Sequence, residues 1–258
     1  MKGLRRMFDL QKASMWKRIS AWLFDSILLG IVAVLCAWLL SMALGFDGHM
    51  TRLEEKYAHY SEAYGVEFDM TLTEYENMSQ EEINKLDTAY AALSGDQDAV
   101  YAYNMVVQQT LLITTMGILF AFLLLEFFIP LWLKNGQTLG KKVFGIALMR
   151  TEGIRVNGVC LFIRTILGKY TIETMVPVLL ILMIFLGSLG LAGTIVIGLI
   201  LLLQLGLVMF TSNRALIHDC LATTVVIDLA SQMIFDTKED LIAYKQKVHA
   251  EKAAKQAY

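Results

Sequence analysis

Residues 15–26 read MWKRISAWLFDS and open an apolar run that continues to Leu44. The run is long enough to cross a bilayer as a helix, yet it carries Arg18 at its entry and Asp25 inside it. Seven residues make almost two helical turns, so both side chains fall on one face, about 10 Å apart along the axis. An ionised carboxylate within hydrocarbon costs roughly 3 kcal/mol unless a partner or water reaches it. The rest of the chain can therefore be read by asking what neutralises Asp25.

The 258 residues are 56% hydrophobic with a mean hydropathy of +0.54, more apolar surface than a soluble domain needs. That excess is gathered into blocks, which implies an integral membrane protein of all-α class with four transmembrane helices. Charge is distributed unevenly along the chain. Residues 1–18 hold six Lys or Arg against Asp9, residues 45–104 hold thirteen acids against three bases, and residues 134–169 hold seven bases against Glu152. The positive-inside rule then places the N-terminus and the 134–169 loop in the cytoplasm of a plasma-membrane protein, with the acidic segment outside. Four spans return the C-terminus to the cytoplasm. The first apolar stretch lacks a small-residue cleavage site and is expected to act as an uncleaved anchor.

The expected order is a basic cytoplasmic arm (1–18), a first span (19–44), an acidic helical extracellular insertion (45–105) and a second span (106–133). A cytoplasmic amphipathic or re-entrant segment (134–170), a third span (171–186), a fourth (192–211) and a cytoplasmic motif with tail (212–258) follow. In the insertion, Leu53, Tyr57, Tyr60 and Tyr64 form one helical stripe that Gly65 ends. Ser79 and Glu82 predict a capping box, and Asp96 predicts a cap for the helix that runs into the second span. In the 134–170 segment, Leu139, Val143, Phe144 and Ile146–Leu148 suggest one apolar side, and Lys141, Lys142 and Arg150 supply positive charge. Arg164 and Lys169 are expected to stay at the membrane interface.

Glu126 lies about seven residues from the inner end of the second span, a depth of about 10 Å that matches Asp25. Two carboxylates at one depth predict a shared polar pocket, which needs a cation or an arginine if both are to stay ionised. Arg214 and Asp219 flank His218 at the cytoplasmic end of the fourth span. Arg18, Asp25, Glu126, Arg214 and Asp219 are thus the candidates for an ion, proton or structural polar cluster.

Three stretches together resemble the RDD family: Lys17–Asp25, Gly136–Gly145 (GQTLGKKVFG) and Arg214–Asp219 (RALIHD). By position, the arginine and two aspartates that give the family its name correspond to Arg18, Asp25 and Asp219. Many relatives also carry an acid where Glu126 stands. The family usually continues Arg-Leu-Ala-Gly-Thr after its last aspartate, whereas here Cys220 and Thr223 replace the arginine and the glycine. Some members are linked to sodium/proton exchange, and other RDD domains look like accessory parts of membrane complexes.

Two functions follow as expectations. In one, Asp25 and Glu126 bind a monovalent cation, Na+ or H+, in antiport, with Arg18 tuning them. In the other, the chain is a non-catalytic scaffold or regulator of a membrane partner, and the charges are an ion-pair network that holds the helices in register. A homo-oligomer or a partner membrane protein is expected, in the lipid bilayer and without nucleic acid. No cofactor, metal or enzymatic chemistry is expected, because adjacent His218 and Asp219 diverge by about 100° on a helix and form no dyad by themselves.

Overall fold

A computed structural model describes residues 11–185, 190–211 and 215–256. The chain is mostly helical, and four helices among the described residues are long and apolar enough to cross a membrane. These are Met15–Leu44, Gln97–Trp132, Gly158–Phe185 and Gly190–Phe210. By packing, Val34–Gly117 forms one compact unit, and Met1–Ala33 with Ile118–Tyr258 forms the other.

The Val34–Gly117 unit holds the later part of α1 (Met15–Leu44), then α2 (Phe46–Tyr64), α3 (Leu72–Glu76), α4 (Gln80–Gly95) and the first part of α5 (Gln97–Phe122). Gly65 ends α2 at φ 61°, in the left-handed region where glycine costs least. The Ser79–Glu82 box forms as expected, and Thr71–Glu74 forms a second one with the same spacing that opens the short α3. Asp96 accepts the backbone N–H groups of Asp98 (2.9 Å) and Ala99 (3.3 Å), as a cap should. Its other oxygen accepts from Lys56 at 2.6 Å, and this hydrogen bond brings the Asp96 carboxyl down to about 2. Leu53 of α2 and Leu86, Ala89 and Leu93 of α4 are buried. Gly117 lies close to α1: a Cβ there would come within 3.1 Å of the Ala37 nitrogen.

In the other unit, each of the chain's 2 prolines follows a wide π-helical stretch, Leu123–Phe128 before Pro130 and Ile163–Met175 before Pro177. A proline has no N–H to donate and crowds the carbonyl four residues back, so the turn before it opens. For Pro130 that carbonyl belongs to Glu126, and the Thr165 hydroxyl donates to it instead at 2.9 Å. The second apolar helix closes with α6 (Ile129–Trp132).

Beyond it come α7 (Leu139–Val143), β1 (Ile146–Arg150), α8 (Gly158–Phe162), α9 (Val176–Phe185), α10 (Gly190–Phe210), α11 (Ile217–Leu221), β2 (Thr224–Asp228) and α12 (Lys238–Gln256). β1 and β2 pair antiparallel with Leu148 opposite Val226. The arm adds to β2, with the Ala13 N–H donating to the Val226 carbonyl at 3.1 Å and the Asp228 N–H to that of Gln11 at 3.3 Å. Lys17 closes this edge on Asp228 at 2.6 Å.

Three expectations are corrected here. The 134–170 segment, expected to be amphipathic or re-entrant, is built from a short helix, a strand and the start of the third apolar helix. Its run Ile146–Met149 is buried on both faces of the small sheet, one face against Ala13, Ala21 and Leu161, the other against Ile234. A run buried on both sides shows no strand alternation, so it was open to a helical reading. The all-α reading is thereby modified by one two-stranded sheet among the described residues. The third apolar helix starts at Gly158 rather than Thr171, because Arg164 and Lys169 lie inside it with partners and not at its edge. Residues 1–10, the turn residues 187–189 and Arg214 lie outside the described residues.

Thr223 adopts φ 49° between α11 and β2. A β-branched residue in the left-handed region is strained, by about 1–2 kcal/mol. Thr223→Gly is therefore expected to raise the unfolding free energy by about 1 kcal/mol, measurable as a higher thermal midpoint in detergent.

Candidate functional site

Arg18, Asp25 and Asp219 all lie within the Met1–Ala33 and Ile118–Tyr258 unit. Asp25 projects from α1 toward the start of α7. The Thr138 hydroxyl donates to its Oδ2, and the Gly140 backbone N–H donates to its Oδ1 at 2.7 Å. Thr138 also caps α7 by accepting from the Lys141 N–H, and it accepts the Lys141 ammonium at 3.2 Å. The GQTLGK stretch is thus the cradle of Asp25. Its first helical turn supplies one backbone donor, the Gly140 N–H, to the carboxylate, a favourable match of charge and dipole. Gly140 permits the approach: a Cβ there would collide with the Ala21 carbonyl oxygen and lie 2.9 Å from the Asp25 carboxyl carbon.

Glu126 sits in the first π-helical stretch, 7% exposed, and accepts from Lys169 at 2.7 Å. Among the described residues Asp25 and Glu126 share no hydrogen bond, and what links them is Lys141, buried close enough to interact with both. Burial pulls the Lys141 ammonium down to about 8; Glu126 and Asp25 hold it up, while Lys169 and Arg164 lower it further.

Asp219 is 2% exposed and carries the densest set of partners. Arg164 donates to its Oδ1 through Nη2 at 2.8 Å and Nε at 3.1 Å, and the Thr224 hydroxyl donates to the same oxygen at 2.9 Å. Arg18 approaches Oδ2 at 3.6 Å. Burial alone would raise this carboxyl, but Arg164, with His218 and Arg18, holds it far below the usual carboxylate range. Neighbouring His218 presents Nδ1 to Glu173 at 2.7 Å, and its backbone N–H donates to the other Glu173 oxygen at 3.0 Å. Gly168 makes room for it, since a Cβ there would sit 2.5 Å from that of His218.

Arg18, Asp25, Glu126 and Asp219 thus belong to one polar layer, although Asp25 and Arg18 serve different partners. Arg164, Lys169, Glu173, Lys141 and Thr138 complete the layer and were not among the sequence candidates. A signal for the first three existed: positions 164, 169 and 173 are spaced by five and four. The wide turns of Ile163–Met175 suit such spacing, whereas an ordinary helix would spread them. Counting charges, Asp25, Glu126, Glu173 and Asp219 balance Arg18, Lys141, Arg164 and Lys169 when His218 is neutral.

Burial, then the Arg164 charge, lower the His218 pKa below 6.5 against the pull of Asp219 and Glu173. An unfolded chain takes this proton near 6.5 while the folded one resists it. The stability from neutral His218 is therefore complete above that pH and falls as pH drops below it. Between pH 7 and 5 the thermal midpoint is expected to fall, by at most about 1.4 kcal/mol of stability per pH unit from this group. His218→Asn should flatten that part of the profile.

Set against known proteins, the RDD family model matches residues 12–223. No curated protein and no solved structure matches the chain.

Proposed function

The chain belongs to the RDD family, and on that premise we propose that it is a membrane-embedded scaffold whose polar layer holds its helices in fixed register for a partner membrane protein. The balanced network of four carboxylates and four cations carries this reading. Each carboxylate already has protein donors, so loading an external cation would first have to break a buried pair. The Val34–Gly117 unit fits the same role, since its capped helices and buried seam form a preorganised acidic surface on which a partner can dock. The proposed orientation is the one with both termini in the cytoplasm of a plasma-membrane protein and residues 45–105 outside. No catalytic role is assigned to His218, which Glu173 engages. Mild-detergent purification of the tagged chain should recover a partner membrane protein or a homo-oligomer. Deleting residues 50–100 should leave membrane insertion intact and remove that partner. Recovery of a monomer alone from native membranes would contradict the reading.

One observation favours a second reading. Lys141 sits between Asp25 and Glu126 with a proton affinity near the physiological range. A monovalent cation that displaces Lys141 from the carboxylates would release its proton, and this is antiport. Such exchange requires cation-driven proton movement that Lys141→Met abolishes.

A further inference from the structure

The Val34–Gly117 unit contains a groove that the scaffold reading does not use. Three rings from separate segments meet there: Tyr57 on α2, Phe68 in the loop after it and Tyr90 on α4. Phe68 packs edge-to-face against both tyrosines, with ring centroids 5.3 Å from Tyr57 and 4.9 Å from Tyr90. The cavity beside them is about 560 Å³, a size that suits a small organic ligand. Its loop is pinned before any ligand arrives. The Ser61 hydroxyl donates to the Val66 carbonyl, and the Val66 N–H returns to the Ser61 carbonyl at 3.1 Å.

The charge of the lining is one-sided. Glu67 and Asp69 flank Phe68 and are both exposed at the groove. Asp96 is taken by Lys56, Asp98 by Arg52, Glu81 by Lys85, and Glu74 and Glu82 by their capping boxes. Glu67 and Asp69 enter no ion pair or hydrogen bond among the described residues. Aromatic faces attract cations through their quadrupole, and best when the cation is weakly hydrated. Rings with few competing hydrogen-bond donors, two free carboxylates and no basic lining residue select against anions and neutral solutes. We propose that this groove binds a small alkylated ammonium ion, with the rings contacting its alkyl groups and Glu67 and Asp69 supplying the countercharge.

The test is calorimetric titration of the full chain in detergent with choline and, in parallel, with its neutral isostere 3,3-dimethylbutan-1-ol. Choline is expected to bind saturably, and the isostere at least tenfold more weakly. The E67Q/D69N double variant should weaken choline binding at least tenfold, and Tyr90→Ala at least fivefold. If Tyr90→Ala fails to fold, the double variant on the exposed loop still decides the matter. No saturable choline binding, equal binding of the isostere, or unchanged binding by the double variant would overturn the proposal.

Discussion

Asp219→Ala is expected to lower the unfolding free energy by about 3–5 kcal/mol. The substitution leaves the Arg164 guanidinium, 2% exposed, without the carboxylate that accepts two of its donors. It also takes the acceptor from the Thr224 hydroxyl and removes the carboxylate 3.6 Å from Arg18. An uncompensated buried charge costs far more than the intact pair contributes, because the pair's attraction is largely spent on its own desolvation. The double variant R164M/D219L is therefore expected to recover most of the loss, while either single change remains severe. Unfolding of the purified chain in mixed micelles measures all three. If Asp219→Ala lost less than about 1 kcal/mol, a range typical of surface pairs, the ion pair would not be buried as described.

Gly140→Ala should be nearly as disruptive for a different reason. Its methyl group would meet the Ala21 carbonyl oxygen, which is backbone, and the Asp25 carboxylate at once. Neither can turn away cheaply, so α7 must move off α1 and the Gly140 N–H must leave Asp25. Overpacking of this kind costs about 1–3 kcal/mol, and a lost charge-assisted hydrogen bond adds about 1.5–3 kcal/mol. Gly198, by contrast, has open space around it on α10. Gly198→Ala is therefore the control and should be neutral or slightly stabilising, since glycine is a poor helix former. The two thermal midpoints in one detergent check the contrast.

What the sequence disclosed about this fold follows from the range over which its determinants act. The Ser79 box, the Asp96 cap and the Gly65 stop depend on neighbours within a few residues, and each forms where the pattern indicates; four apolar spans are present among the described residues, although the third starts earlier than its pattern suggests. Asp25 was recognisable as a residue needing a partner, but that partner is a hydroxyl and an amide more than a hundred positions away. No periodicity links α1 to the GQTLGK stretch. Both stretches belong to the motifs that carry the family resemblance, so the contact was latent in them. β1 escaped for a similar reason: Ile146–Met149 becomes a strand through pairing with Thr224–Asp228, not through alternation of its own. Arg164 and Lys169 are expected at the interface because burying an unpaired charge is costly. That cost is real, and Asp219 and Glu126 offset it through contacts that local sequence does not encode.

The closed charge network is tested most directly by reconstituting the purified chain into proteoliposomes loaded with a pH-sensitive dye. Outward and inward gradients of Na+, Li+ and K+ are then imposed at external pH 6 to 9. If the four carboxylates are held by the protein's own donors, no cation-driven proton movement above that of empty vesicles is expected at any pH, and Lys141→Met changes nothing. Cation-dependent proton movement that the wild type shows and Lys141→Met or Asp25→Asn loses would contradict the closed network and establish exchange through Lys141.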